Sequence, residues 1–244
     1  MCEGTTEALK GWKGWIDVPA PTLSANTEKW LEVSHVITET LSRAPSFPPP
    51  RIRRIRSIPE SMANVTELHM VAHHGTHLDA PRHFITDGPT IDEIPLERLY
   101  GEGVVWRVEV EPYQVIEPKH LEACRPKLKP GDILLLDTGW ARHVNTEAYE
   151  RHAHLDGAAA EWLVRRGCKL LAIDCSTPDL TQHKRPPGFA YPVHHTLLGQ
   201  GVLIAEHMTN VAALAGRRVD VMVCAINIGG SDGAPARVLA RPTA

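Results

Sequence analysis

Twelve consecutive residues, HHGTHLDAPRHF at 73–84, constrain this chain more than any other stretch. Three imidazoles and a carboxylate, His73, His77, Asp79 and His83, fall within eleven residues. These are the usual ligands of a divalent transition metal. His77 and Asp79 are two apart, so extended backbone points both to one side. Gly75 lets the chain bend so that His73 reaches the same ion, and Pro81 stiffens the turn that presents His83. Adjacent His74 points away from His73 and is set aside. Thr76 is suited to hydrogen-bond the backbone or a ligand imidazole. Gly75 and Pro81 predict irregular backbone for the cluster, a loop held by rigid strands.

The frame that would hold such a loop is readable. Strands are expected at 65–71, 104–110, 202–206 and 219–228, buried strands at 132–137 (DILLLD) and 168–174 (CKLLAID), and a further strand at 30–39. Short helices are expected at 118–124, opened by Pro118, and at 156–166, capped by Asp156 and stopped by Gly167. Residues 194–199 suit a helical turn and 210–215 a short helix. The prolines of 41–50 and 181–191 mark loops, the second a candidate lid. The basic run at 51–57 (RIRRIRS) reads as an exposed edge strand or subunit contact, or else as an attractor of an anionic substrate. Strands mixed with short helices predict an α/β fold with a mixed sheet and flanking short helices. Residues 1–28 read as an N-terminal leader or arm, and 29–244 as a single domain.

Composition narrows the function. The 244 residues include 43% apolar side chains, enough for an ordinary core, and the net charge of −3 favours neither nucleic acid nor an anionic membrane. No stretch approaches the roughly 20 apolar residues needed to span a bilayer. The five cysteines are scattered without a Cys-x-x-Cys pair, which fits a reduced, cytoplasmic protein. The 14 histidines are the compositional outlier.

A second constellation lies at 191–210, YPVHHTLLGQGVLIAEHMTN. His194 and Glu206 are separated by a turn and an apolar strand, so the strand can return the glutamate beside the histidine. With Asp79 bridging, they would hold a second metal, a common hydrolytic arrangement. Alternatively, Glu206 caps a strand or pairs with Arg217 or Arg218. Asp174, in a buried strand, is a structural acceptor or a partner to a ligand, and His183 is a candidate substrate contact.

HHGTHLDAPRHF resembles the His-x-Gly-Thr-His-x-Asp-x-Pro-x-His signature of the cyclase-like family, which includes bacterial kynurenine formamidases and isatin hydrolases. VHHTLLGQGVLIAEHMTNV resembles its second conserved segment and SDGAPARVLA its closing segment, so the resemblance runs from about Val33 to Ala240. It implies a swivelling β/β/α domain, usually dimeric or tetrameric. It implies zinc or manganese on His73, His77 and Asp79, with His194 and Glu206 added where there are two ions, and His83 as general acid/base. The expected activity is hydrolysis of a small amide, either an open-chain aryl formamide or a cyclic amide such as isatin or a lactam. Tyr191, Phe47 and Phe84 would line an aromatic pocket or simply pack in the core. The alternatives are His83 as a further metal ligand, a metal-dependent cyclase or dehydratase acting on a polyketide-like substrate, and a non-catalytic metal-binding protein.

Overall fold

The computed structural model describes residues 11–25 and 27–243. Its strands are β1 (Leu31–Glu32), β2 (Arg51–Arg56), β3 (Val65–His69), β4 (His77–Asp79), β5 (Tyr100–Arg107) and β6 (Val115–Ile116), then β7 (Ile133–Asp137), β8 (His154–Leu155), β9 (Leu170–Ile173), β10 (Leu203–Glu206), β11 (Arg218–Ala225) and β12 (Gly233–Pro242). The helices are α1 (Pro118–Ala123), α2 (Gly157–Arg165) and α3 (Pro192–Gly199).

Eight strands form one mixed sheet in the order β1-β12-β11-β5-β7-β9-β10-β4. β5, β7, β9 and β10 run parallel, and the remaining pairs are antiparallel. β4 also pairs with the start of β12, Gly233 opposite Asp79 and Pro235 opposite His77, so the sheet closes into a barrel. Closure explains why these strands read as nearly unbroken apolar runs: both faces are buried. Along β7, Ile133 and Leu135 face the barrel interior with Leu170, Ala172, Leu203 and Ala205. Leu134 and Leu136 face outward with Leu171, Ile173 and Ile204. Against that outer layer pack Leu121 of α1, Leu163 of α2 and Leu197 of α3. Asp156 caps α2, its side chain accepting the Ala159 N–H at 2.7 Å, and Gly167 stops it at φ +72°.

Several elements differ from expectation. Residues 77–79 are not loop but strand, because β10 and β12 flank them on both sides and satisfy their backbone. The strand expected at 30–39 shrinks to β1 and an isolated bridge from Ser34 to Met208. β5 starts at Tyr100 rather than 104, and α3 starts at Pro192 rather than 194. The helix expected at 210–215 is a 3₁₀ turn, Val211–Leu214. Strand β12 was hidden by Gly233 and Pro235. The basic run is β2, paired with β3 in a separate two-stranded ribbon that leaves Ile55 and Leu68 more than half exposed. Arg53 meets Glu67 there at 2.7 Å.

Of the expected leader, residues 1–10 and 26 lie outside the described residues. Residues 11–25 run without helix or strand and are pinned to the body, Lys13 N–H to the Gly199 carbonyl at 3.1 Å and the Ser24 hydroxyl to Asp220 at 2.6 Å. No helix among the described residues is long and apolar enough to cross a membrane.

Candidate active site

The register between β4 and β10 sets Glu206 opposite His77 and Ile204 opposite Asp79. Leu78 points into the barrel core, so His77 and Asp79 point to the other face, shared with Glu206. α3 adds His194. The Asp179 carboxylate accepts the backbone N–H groups of Val193 and His194 at 3.1 and 3.0 Å and the His194 Nδ1–H at 2.6 Å. The opposite nitrogen, Nε2, is thereby turned to within 3.3 Å of Glu206 Oε1 and 3.6 Å of Asp79 Oδ2. His77 is fixed in the same way: Nδ1 donates to the Gly75 carbonyl at 2.8 Å, and Nε2 lies 3.3 Å from Asp79 Oδ1 and 3.4 Å from Glu206 Oε2. His73 spans Asp79 (2.8 Å) and Asp232 (3.0 Å). His83 stacks on His73 with ring centroids 3.9 Å apart, and its Nδ1 lies 3.3 Å from the same Asp232 oxygen.

All six residues singled out in the sequence therefore meet at one cavity of about 260 Å³, five lining it and Asp79 buried at its base. The donor set fits a cation. His77 Nε2, Asp79 Oδ2 and Glu206 Oε1 are buried and carry no hydrogen bond, an arrangement that costs roughly 1–3 kcal/mol per group unless something else satisfies it. Asp79 belongs to two ligand-like groups, with His73 and His83 and with His194 and Glu206; a third joins His77 and Glu206 to His207.

Charge is finely opposed here. Burial would lower the His77 pKa, but the Asp79 and Glu206 carboxylates beside its Nε2 push it up to about 10. His194 and His73 are raised too, burial being outweighed by carboxylate contacts. Burial and the Asp79 charge would raise Glu206, yet His194 and His77 hold it at about 2. Asp79 is likewise held well below the usual carboxylate range: burial is outweighed by the His83 charge and by contacts from His194, His73 and His77. In the metal-free protein the carboxylates thus favour the protonated form of His73, His77 and His194. A His whose folded pKa is raised contributes stability below its unfolded pKa near 6.5, lost as pH rises toward the folded value. Between pH 6.5 and 8 the metal-free protein should lose about 2 kcal/mol from His77 alone. A saturating divalent cation needs neutral imidazoles and should flatten this trend. Urea unfolding at both pH values, with and without cation, measures it.

Asp179 and Asp232 are functional candidates that sequence reading missed. Asp179 aims His194. Asp232 holds His73 and His83 together, and those two contacts keep its carboxyl far below its ordinary range. Only its place in the segment SDGAPARVLA could have drawn attention to it. Asp174 is a structural acceptor for the Thr138 hydroxyl and the Thr138 and Trp140 N–H groups, and burial pushes it up to about 6. His74 contacts the Thr38 carbonyl, and exposed His183 contacts the Tyr113 hydroxyl. Thr76 donates to the His207 carbonyl rather than to an imidazole. Arg218 pairs with Asp132 and Glu102, leaving Glu206 to the histidines.

The family described as "Putative cyclase" matches residues 19–180. The kynurenine formamidase of Bacillus cereus is 27% identical over 218 residues, covering 88% of this chain and 99% of that protein. That of Bordetella petrii is 25% identical over 184 residues, covering 75% and 83%. An isatin hydrolase bound to the product analogue thioisatinate superposes with a TM-score of 0.81 at 18% identity, covering 88% of this chain and 93% of that one. Isatin hydrolase A from Ralstonia solanacearum gives 0.77 at 23% identity, covering 87% and 91%. At these identities the two structures speak to the fold.

Proposed function

We propose that this chain, which belongs to the cyclase family, is a metal-dependent hydrolase that cleaves the C–N bond of a small amide. The observation that carries this reading is the convergence of three buried, unbonded ligand atoms, on His77, Asp79 and Glu206, beside a partly exposed His83 that has its own carboxylate partner. His73, His77, Asp79, His194 and Glu206 would hold the metal, zinc or manganese, as one ion or two. When bound, the cation supplies polarisation of the amide carbonyl and activation of water at neutral pH.

The rest is done by the chain. His83 takes the proton of the attacking water and delivers it to the amide nitrogen, which leaves poorly unless protonated. Asp232 fixes the His83 ring and offers a negative charge to the cation it becomes. Phe84, its ring centre 4.4 Å from that of His194 and 4.6 Å from that of His83, forms an aromatic wall of the cavity. The kinship with kynurenine formamidases supports an open-chain aryl formamide as substrate, and the fold likeness to isatin hydrolases supports a cyclic amide. We further propose one catalytic domain over 29–244 with the leader as an arm, a cytoplasmic location, and a homodimer or homotetramer. The exposed β2–β3 ribbon supports the oligomer as a subunit contact.

The test is formate release from N-formylkynurenine beside ring opening of isatin and of a bicyclic lactam, by metal-loaded and chelated protein. Cation-dependent turnover of at least one is expected. Bound metal without turnover of any would leave the non-catalytic reading standing.

A further inference from the structure

The cavity's second pole is Arg185. Among the described residues that line the cavity, it alone carries a permanent positive charge. Everything around it holds its guanidinium still. Nε donates to the Leu180 carbonyl at 2.6 Å and Nη1 donates to the Tyr191 hydroxyl at 3.1 Å. The guanidinium carbon lies 4.5 Å from the Tyr191 ring centre and 5.6 Å from that of Phe189. No Asp or Glu of the described residues forms an ion pair with it. Glu150, the cavity acid that feels the Arg185 charge, is instead bonded to the Thr181 hydroxyl at 3.2 Å, and burial raises its pKa. A pre-oriented guanidinium without an anionic partner, facing a ligand cavity, is the arrangement that planar carboxylates recognise.

Its relation to the reaction centre is rigid. Tyr191 caps α3 with a left-handed backbone (φ +47°), three residues before His194. Its ring lies 5.0 Å from Phe84, and Phe84 lies 4.4 Å from His194. The Tyr191 ring also meets His194 edge-on at 6.3 Å, so the tyrosine that supports the arginine packs beside the histidine that faces Asp79. The far pole is rich in carboxylates: Asp79, Glu206 and Asp232. Bound at Arg185, a substrate carboxylate leaves the cation site to the scissile amide, which is then directed at His83.

Resting on the amide-hydrolase reading, we infer that Arg185 binds a carboxylate on the substrate, so that the substrate is an aromatic amide bearing an anionic group rather than a neutral lactam. Binding and turnover test this separately. Binding uses 2-aminobenzoate and its neutral isostere 2-aminobenzamide, titrated into wild type, Arg185→Gln and Arg185→Lys, each with and without cation. The wild type should prefer the carboxylate on the order of 10–100-fold, the scale of a charged hydrogen-bonded pair. Arg185→Gln should reduce the preference to about threefold or less, Arg185→Lys should keep part of it, and added salt should weaken it. Equal affinities in the wild type would overturn the inference. So would a preference that survives Arg185→Gln at unchanged melting temperature, since the carboxylate would then sit on the cation. Turnover uses 2-formamidobenzoate and its methyl ester, and the ratio of their kcat/KM values should collapse in Arg185→Gln. If neither of these, nor N-formylkynurenine, isatin or the bicyclic lactam, is hydrolysed while carboxylate binding still depends on Arg185, the hydrolase reading falls and the anion site stands.

Discussion

Asp79→Ala should purify folded, with bound metal reduced to background and amide hydrolysis down by a factor on the order of 10³ or more. The carboxylate is fully buried and touches three imidazoles, those of His73, His77 and His194. It belongs to two of the ligand-like groups, so its loss weakens both at once. The fold should survive because β4 is held by backbone pairing on both sides and by Leu78 in the barrel core. Without the acid the imidazoles lose the charge that favours their protonated form, so His77 should titrate well below its value near 10. Asp79→Asn retains the volume and removes the charge, and should lose metal almost as completely, which separates charge from packing. Elemental analysis of protein purified without added metal reads the outcome directly. Full metal occupancy with normal turnover in Asp79→Ala would sink the metal assignment.

The six candidate residues were legible in the sequence because their signals are local or nearly so. HHGTHLDAPRHF carries four of them within eleven positions, and a single turn and strand link His194 to Glu206. α2 was legible for the same reason, since Asp156 and Gly167 act on their own neighbours. The features that escaped depend on distant register. β4 looks like a loop from its glycine and proline, and becomes a strand only because β10 and β12 supply partners more than a hundred residues away. β12 carries Pro235 at the point where its pairing passes from β4 to β11, so the proline that argues against a strand marks the change of partner. Asp179 and Asp232 work by what they touch, and neither contact has a sequence signature. The sheet was expected to be mixed and is; its closure into a barrel follows from that one change of partner.

His83→Ala should keep its metal and lose turnover by roughly 10²–10⁴-fold, the usual scale for removing a general acid/base. The expectation follows from its surroundings. Its side chain is 24% exposed, against 1–7% for His73, His77, Asp79, His194 and Glu206, so it is the most accessible of the six from the cavity. Its Nδ1 faces Asp232, which leaves Nε2 as the nitrogen that can exchange a proton with substrate. If His83 is instead a metal ligand, His83→Ala loses metal in step with activity, and elemental analysis separates the two cases. Asp232→Asn should give a weaker version, on the order of tenfold in kcat with KM little changed, because the ring stays present but loses its anchor. Added imidazole should restore part of the His83→Ala rate and none of the Asp79→Ala rate, since a diffusible base replaces a proton carrier but not the carboxylate at the base of the site. Near-wild-type turnover by His83→Ala with metal intact would remove the proton transfer from this histidine.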